Sequence, residues 1–417
     1  MQTAKVPEPK AVPHSVAEPL SETKTPAVPL DPLVEKWNAL FDKFKSADYE
    51  KRIELFLGSM DEPGLLDGEG AFDMLDNIYQ DTVRQREYAR FNELVDTLRQ
   101  RLPEVYADSE AYYLDWYICN ALALNQPEVL AARVRELARI AHEIDVFYWT
   151  VDLLSYYGYL PLLVEAMRIA RPEVETSGDI MEFAIDEFAD NAVKFEILNY
   201  FEHNPEPNPD DPDLRSRLEY FIKNIRMDKV TEVIKCLSGQ TGRQWSPGDF
   251  GNLKSETSRL NLKCLSQEFL GELYRESRIN LTRGEMGRLE LVKYLLERAD
   301  GDLEPRPSMF EAMTGSKKPH KPVTKPPRPP HVLCPDRERL DRFLADVLNF
   351  MNPQIYKAAA CFEIIPDWLR FLESRGLIDG ELRNRILNDL RPLQEHMETI
   401  VTKHFPDPAQ RPVIKEF

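Results

Sequence analysis

The chain has 417 residues, 42% of them hydrophobic, enough to fill the cores of two or three domains. Its 71 acidic against 53 basic residues leave a formal net charge of -18, which repels phosphate backbones and argues against nucleic acid as a partner. No stretch approaches the ~20 consecutive apolar residues of a membrane-spanning helix, and the N-terminus lacks the apolar segment of a secretory leader, so the sequence reads as cytoplasmic with no membrane partner.

Residues 1–30 alternate proline, alanine, valine and charge without periodicity, the composition of a disordered tail. From Leu33 the grammar changes. Leu33, Trp37, Leu40, Phe41 and Phe44 recur at intervals of three and four and predict a first helix. Residues 31–301 continue in the same way as a helical body. Gly68-Glu69-Gly70 reads as a turn before the helix AFDMLDNIY, since Asp73 stands where a dinucleotide fingerprint needs its third glycine. Val129, Leu130, Val134, Leu137, Ile140 and Ala141 form one helix face. Three segments carry the same tripeptide, at Pro103, Pro127 and Pro172. Proline and glutamate suit a first helical turn, so each is expected to open a helix.

Alternating β-branched runs are absent, which makes the class all-α. The aromatic stretches AYYLDWYICNALALNQPEVL and DVFYWTVDLLSYYGYLPLLVEAMRIARPEV have a layout of helix, tight turn at Gly158, helix and Pro172. Over about residues 100–200 this resembles the helical hairpins of tetratricopeptide-like and other α-solenoid proteins. The resemblance implies irregular antiparallel helical hairpins stacked as a solenoid-like body. It transfers no functional residue.

Residues 238–261 are rich in glycine and form the longest irregular stretch of the body. A loop of that length points either to function or to loose order. Leu289, Val292, Leu295 and Leu296 then trace the last helix face. Residues 302–336 read as a flexible linker containing KKPHKPVTKPPRPP, with five cationic side chains and six prolines. Residues 337–405 carry three apolar stripes, with Gly376 placed as a C-terminal cap, Asp379 as an N-terminal cap and Pro392 at an expected kink. A core of that size is marginal alone, so the three-helix unit is expected to dock on the body.

The side chains needed for several chemistries are not in register. The five cysteines are widely separated with no C-x-x-C pair, which suggests neither a disulfide framework nor a zinc knuckle. No histidine has glutamate three positions before it, His142-Glu143 lacks the second histidine of a metalloprotease helix, and no P-loop or nucleophile elbow occurs. No catalytic residue, metal ligand or cofactor is assigned. Asp300, Asp302, Glu304 and Glu311 fit a calcium loop except that Pro305 occupies the glycine position, so they read as an acidic lead-in to the linker.

Two interaction candidates remain, both for another protein or peptide. One is an aromatic surface that includes Tyr112, Trp116, Tyr117, Tyr148 and Trp149, because neighbouring rings diverge by about 100° around a helix and cannot share one buried stripe. The other is the basic linker, with Lys317, Lys318, Lys321, Lys325 and Arg328. It reads either as a spacer or as a weak electrostatic latch onto acidic clusters such as Glu182, Asp186, Glu187 and Asp190. The sequence thus leans to a non-enzymatic scaffold or adaptor. The alternatives are a helical enzyme or ligand-binding protein using Arg243, Trp245 and Asp249 of the loop, and a self-associating structural subunit.

Overall fold

A computed structural model describes residues 32–178, 180–204, 206–277, 279–304, 331–349 and 353–414. Among them are seventeen α-helices and no β-strand, so the all-α class is correct. The chain divides into two units, residues 1–66 and 67–417.

In the first unit, α1 (Pro32–Ser46) and α2 (Tyr49–Ser59) meet at a short connection. Asp48 caps α2 by accepting the Lys51 amide at 2.9 Å, and Arg52 donates through Nε to the Phe44 carbonyl at 3.3 Å. Of the five apolar residues read as the stripe of α1, only Phe44 is fully buried. Leu33 is exposed.

The second unit begins with α3 (Gly68–Gln85), α4 (Tyr88–Arg101), α5 (Pro103–Ala107), α6 (Glu110–Ala123) and α7 (Pro127–Ala138). Gly68 and Gly70 lie inside α3 rather than in a turn before it. Asp67 accepts the Gly70 amide at 2.8 Å and so starts the helix at the glycines. Pro103 and Pro127 open α5 and α7 as expected. Pro172 does not open a helix: it lies within α9 (Leu160–Thr176), which follows α8 (Ile144–Tyr157). Only four residues of α9 follow it, and its carbonyl accepts from Thr176 Oγ1 at 2.7 Å. The proline therefore falls in the last turns of a helix that Leu163, Met167, Ala170 and Val174 bury on one continuous face.

The chain continues through α10 (Glu182–His203), α11 (Pro212–Glu219), α12 (Met227–Leu237), α13 (Glu256–Glu276) and α14 (Leu281–Asp300). The last three helices are α15 (Arg337–Val347), α16 (Ile355–Ser374) and α17 (Gly380–His404). Gly376 adopts φ +69° just beyond α16, and Asp379 accepts the Leu382 amide at 2.7 Å, so both caps read from the sequence are in place. The helix α17 runs on through Pro392.

Two apolar cores fill this unit. One gathers α6 to α12 around Leu114, Leu154, Leu163 and Leu218. The other gathers α13 to α17 around Phe269, Tyr294, Phe343, Trp368 and Leu390. The densest helix pairing is α14 with α16. It depends on Gly287, because a Cβ there would stand 2.5 Å from the Ala360 carbonyl oxygen. The described ends of the segment read as linker are packed: Leu303, Leu333 and Cys334 are buried, and Trp368 Nε1 donates to the Leu333 carbonyl at 2.9 Å. Lys317, Lys318, Lys321, Lys325 and Arg328 lie outside the described residues, as do residues 1–31. Residues 405–414 run along α4, α6 and α8. Tyr157 donates to the Gln410 carbonyl at 2.9 Å, and the Val413 amide donates to Tyr156 Oη at 2.9 Å.

Candidate functional site

Helical spacing aligns Asp145, Tyr148, Trp149 and Asp152 on one face of α8, and Glu187, Asn191 and Lys194 on one face of α10. Glu285, Leu289 and Glu290 of α14 and Lys357 of α16 complete the walls of a cavity of about 380 Å³. The wall is held by the start of α14 gripping the end of α8. Thr282 Oγ1 donates to the Ser155 carbonyl at 2.6 Å, Arg283 Nε to the Tyr156 carbonyl at 2.7 Å and Asn280 Nδ2 to the same carbonyl at 3.1 Å. Leu289, read from sequence as part of a buried stripe, is exposed because it lines this opening.

Five carboxylates (Asp145, Asp152, Glu187, Glu285 and Glu290) face two ammonium groups in the cavity. Lys357 Nζ lies 3.2 Å from Asp152 Oδ2, and Arg288 clamps Glu285 with two contacts of 2.6 and 2.7 Å. Burial raises the carboxyls of Asp152 and Glu290 above the usual range, with Lys357 partly opposing the rise at Asp152. Oε2 of Glu290 is shielded from solvent and has no hydrogen-bond partner among the described residues. Lys194 donates to Asn191 Oδ1 at 2.6 Å and lies 5.2 Å from the centre of the Phe195 ring. Burial lowers its pKa, and Glu285 partly offsets that. The phenol of Tyr148 is pushed up to about 12, mainly by burial.

Lys194 and Glu285 also line a second cavity of about 410 Å³. Its walls are apolar: Val193, Ile197 and Leu198 come from α10, Val230, Val233 and Leu237 from α12, and Leu270 from α13. Arg226, Lys229 and Lys263 also line it, with Asp190 and Glu285 of opposite charge; Arg226 is bound to Asp228 at 2.6 Å and Lys229 lies near Glu232 at 3.3 Å. The two cavities therefore adjoin, one acidic and aromatic, the other largely apolar with charged residues of both signs.

The residues singled out from sequence are divided by the fold. Tyr148 and Trp149 line the acidic cavity, and Trp149 is 40% exposed. Tyr112 approaches Trp149 edge-on at 6.0 Å and Phe72 at 5.2 Å. Trp116 stacks on Phe72 at 5.4 Å and on Tyr79 at 5.2 Å, so a continuous run of rings leads from the cavity mouth back to α3. Tyr117 is set apart: it is buried, donates to the Asn92 carbonyl at 2.8 Å and lies beneath Arg133. In the glycine-rich loop, Arg243 lies 5.6 Å from the Trp245 ring and 3.5 Å from Glu232, while Trp245 Nε1 donates to Glu268 at 2.9 Å. Asp249 makes a capping box with Ser246 and shares no hydrogen bond or ion pair with the other two.

Sequence reasoning missed Lys194, Lys357, Asp152 and Glu290, which come from four helices with no shared motif. One signal was present: Lys194 is the sole lysine or arginine in α10, a helix that carries several acidic residues. It also missed the meeting of Cys236 and Cys264, whose Sγ atoms are 2.7 Å apart between α12 and α13. No helix among the described residues is long and apolar enough to cross a membrane. No protein-family model, curated protein or solved structure matches the chain.

Proposed function

We propose that this chain is a non-enzymatic adaptor built on helical repeats, and that it holds an extended or helical segment of another protein along the two adjoining cavities. The observation that carries this reading is the sharing of Lys194 and Glu285 by an acidic cavity and an apolar trough. Two adjoining cavities of contrasting character, one acidic and aromatic and one largely apolar, suit a segment that presents a charged and an apolar side chain in succession. The partner places apolar side chains in the trough and a lysine or arginine in the acidic end. There Trp149 and Tyr148 offer ring faces, and the carboxylates outnumber the ammonium groups. The run of rings behind Trp149 stiffens that end, as large aromatic anchors do at binding hot spots.

The test is to place a photo-crosslinking side chain at Trp149 and, separately, at Val193, and to map the adducts by peptide mass spectrometry. The reading expects both positions to capture the same segment of one partner, with a basic residue nearest position 149, and expects Lys194→Glu to abolish capture at Val193. Adducts to unrelated proteins at the two positions, or saturable binding of a small ammonium compound at the acidic cavity alone, would replace the adaptor with a ligand-binding protein.

A further inference from the structure

Cys236 lies in the last turn of α12 and Cys264 in the middle of α13, both buried, with 2.7 Å between their sulfurs. That gap exceeds a disulfide bond by only about 0.7 Å. The two helices pack closely at this level. Gly271 presses against the carbonyl of Leu237, the residue after Cys236, where any Cβ would collide, and Arg275 Nη1 donates to that same carbonyl at 2.9 Å. The close backbone approach and the Arg275 bond thus bring α12 and α13 together beside the two sulfurs.

We infer that Cys236 and Cys264 form a reversible dithiol–disulfide pair, a redox modification site oxidised by hydroperoxides and reduced by small dithiols. Cys264 is the attacking sulfur. With Cys236 donating across the 2.7 Å contact, the Cys264 thiol is lowered despite its burial, Arg243 of the glycine-rich loop adds to that, and Cys236 is correspondingly raised. In the first step the Cys264 thiolate attacks one oxygen of hydrogen peroxide. An S–O bond forms, the O–O bond breaks, and the departing hydroxide takes a proton to become water. In the second step Cys236 sulfur attacks the sulfenic sulfur of Cys264. The S–S bond forms, the S–O bond breaks, and the hydroxyl leaves as water with the proton of Cys236. Two thiols lose two electrons and two protons, and one peroxide becomes two waters.

The glycine-rich loop is fastened to α13 close to the pair. Its Thr241 and Trp245 side chains both bond Glu268, one helical turn beyond Cys264, so the loop is fastened by two side-chain contacts. The same two helices supply Val230 and Val233 on one wall and Leu270 on another wall of the apolar trough. Oxidation would fix the separation of those walls by a covalent bond. The chemistry of the pair stands independently of the proposed adaptor role.

The experiment treats the full chain with hydrogen peroxide under native conditions, alkylates the remaining thiols, and digests without reductant. A Cys236–Cys264 linked peptide is expected, reversed by dithiothreitol, with Cys334 and Cys361 still alkylated. In Cys236→Ser, dimedone should trap a sulfenic acid at Cys264. If that variant fails to fold, the wild-type cross-link decides alone, together with slower hydrogen exchange in residues 230–237 and 263–270 after oxidation. Recovery of Cys236 and Cys264 as alkylated thiols to the same extent as Cys334 and Cys361 would overturn the inference, as would over-oxidation of Cys264 with Cys236 intact.

Discussion

Tyr88, at the start of α4, donates a 2.6 Å hydrogen bond to Oδ2 of Asp407, 319 residues further along the chain. Arg86 approaches the other oxygen at 3.2 Å, and the carboxylate is 3% exposed. Removing the phenol leaves a buried anion short of a strong donor, which typically costs about 2 kcal/mol. Tyr88→Phe should lower stability by that order in urea unfolding and speed hydrogen exchange in residues 405–414. Unchanged exchange there would mean the segment is held by other contacts.

Asp115 on α6 accepts from Thr150 Oγ1 of α8 at 3.2 Å, and burial pushes its carboxyl up to about 6. Because the folded form holds the proton more tightly than the unfolded chain, the stabilising contribution is complete below the unfolded value of about 3.9. It is lost as pH rises through 6. A difference of this size corresponds to ~3 kcal/mol. Asp115→Asn should match wild type near pH 4 and exceed it by about 1–3 kcal/mol above pH 7. Thermal unfolding across that range provides the check, and parallel curves for the two proteins would refute it.

Two glycines in helices should respond oppositely to alanine. At Gly287 a Cβ meets the Ala360 backbone oxygen, and neither helix can yield without disturbing the pairing of α14 with α16. Gly287→Ala is therefore expected to cost more than about 2 kcal/mol. At Gly58 in α2 nothing lies within 4 Å, so Gly58→Ala should add about 0.5–1 kcal/mol through helix propensity. Chemical denaturation of both variants compares them directly.

Lys194 is an ammonium that its surroundings disfavour. Methionine keeps the length of the side chain and removes the charge, so Lys194→Met should gain about 1 kcal/mol at pH 7. The same variant should lose capture of the partner at Val193. A drop in stability would mean that the bond to Asn191 outweighs the desolvation.

Helix periodicity made most of the elements legible, and local chemistry made some ends legible: Asp379 and Gly376 bracket the turn between α16 and α17 as their side chains predict. Pro172 misled because a proline that suits a first turn can also sit near the end of a helix, where burial of Val174 keeps the chain helical. Gly68 misled because the Asp67 cap overrides the low helix propensity of two glycines. Tyr148 and Trp149 could be singled out because adjacent rings on a helix cannot both face one core. Lys194, Asp152 and Glu290 could not, because each is an ordinary helical charge until three helices bring them to one cavity. The cysteines share no motif; their meeting depends on the packing of α12 on α13 and on Gly271.

Lys194 faces both cavities, and one ammonium cannot serve two neighbours without informing each of the other. A cation seated near Asp152 changes the field that this lysine contributes to the trough, and an occupant of the trough changes the field felt beside Asp152. By thermodynamic reciprocity, whatever factor the first imposes on the second's affinity is returned unchanged. The two ends of one bound segment would sense one another through a single side chain.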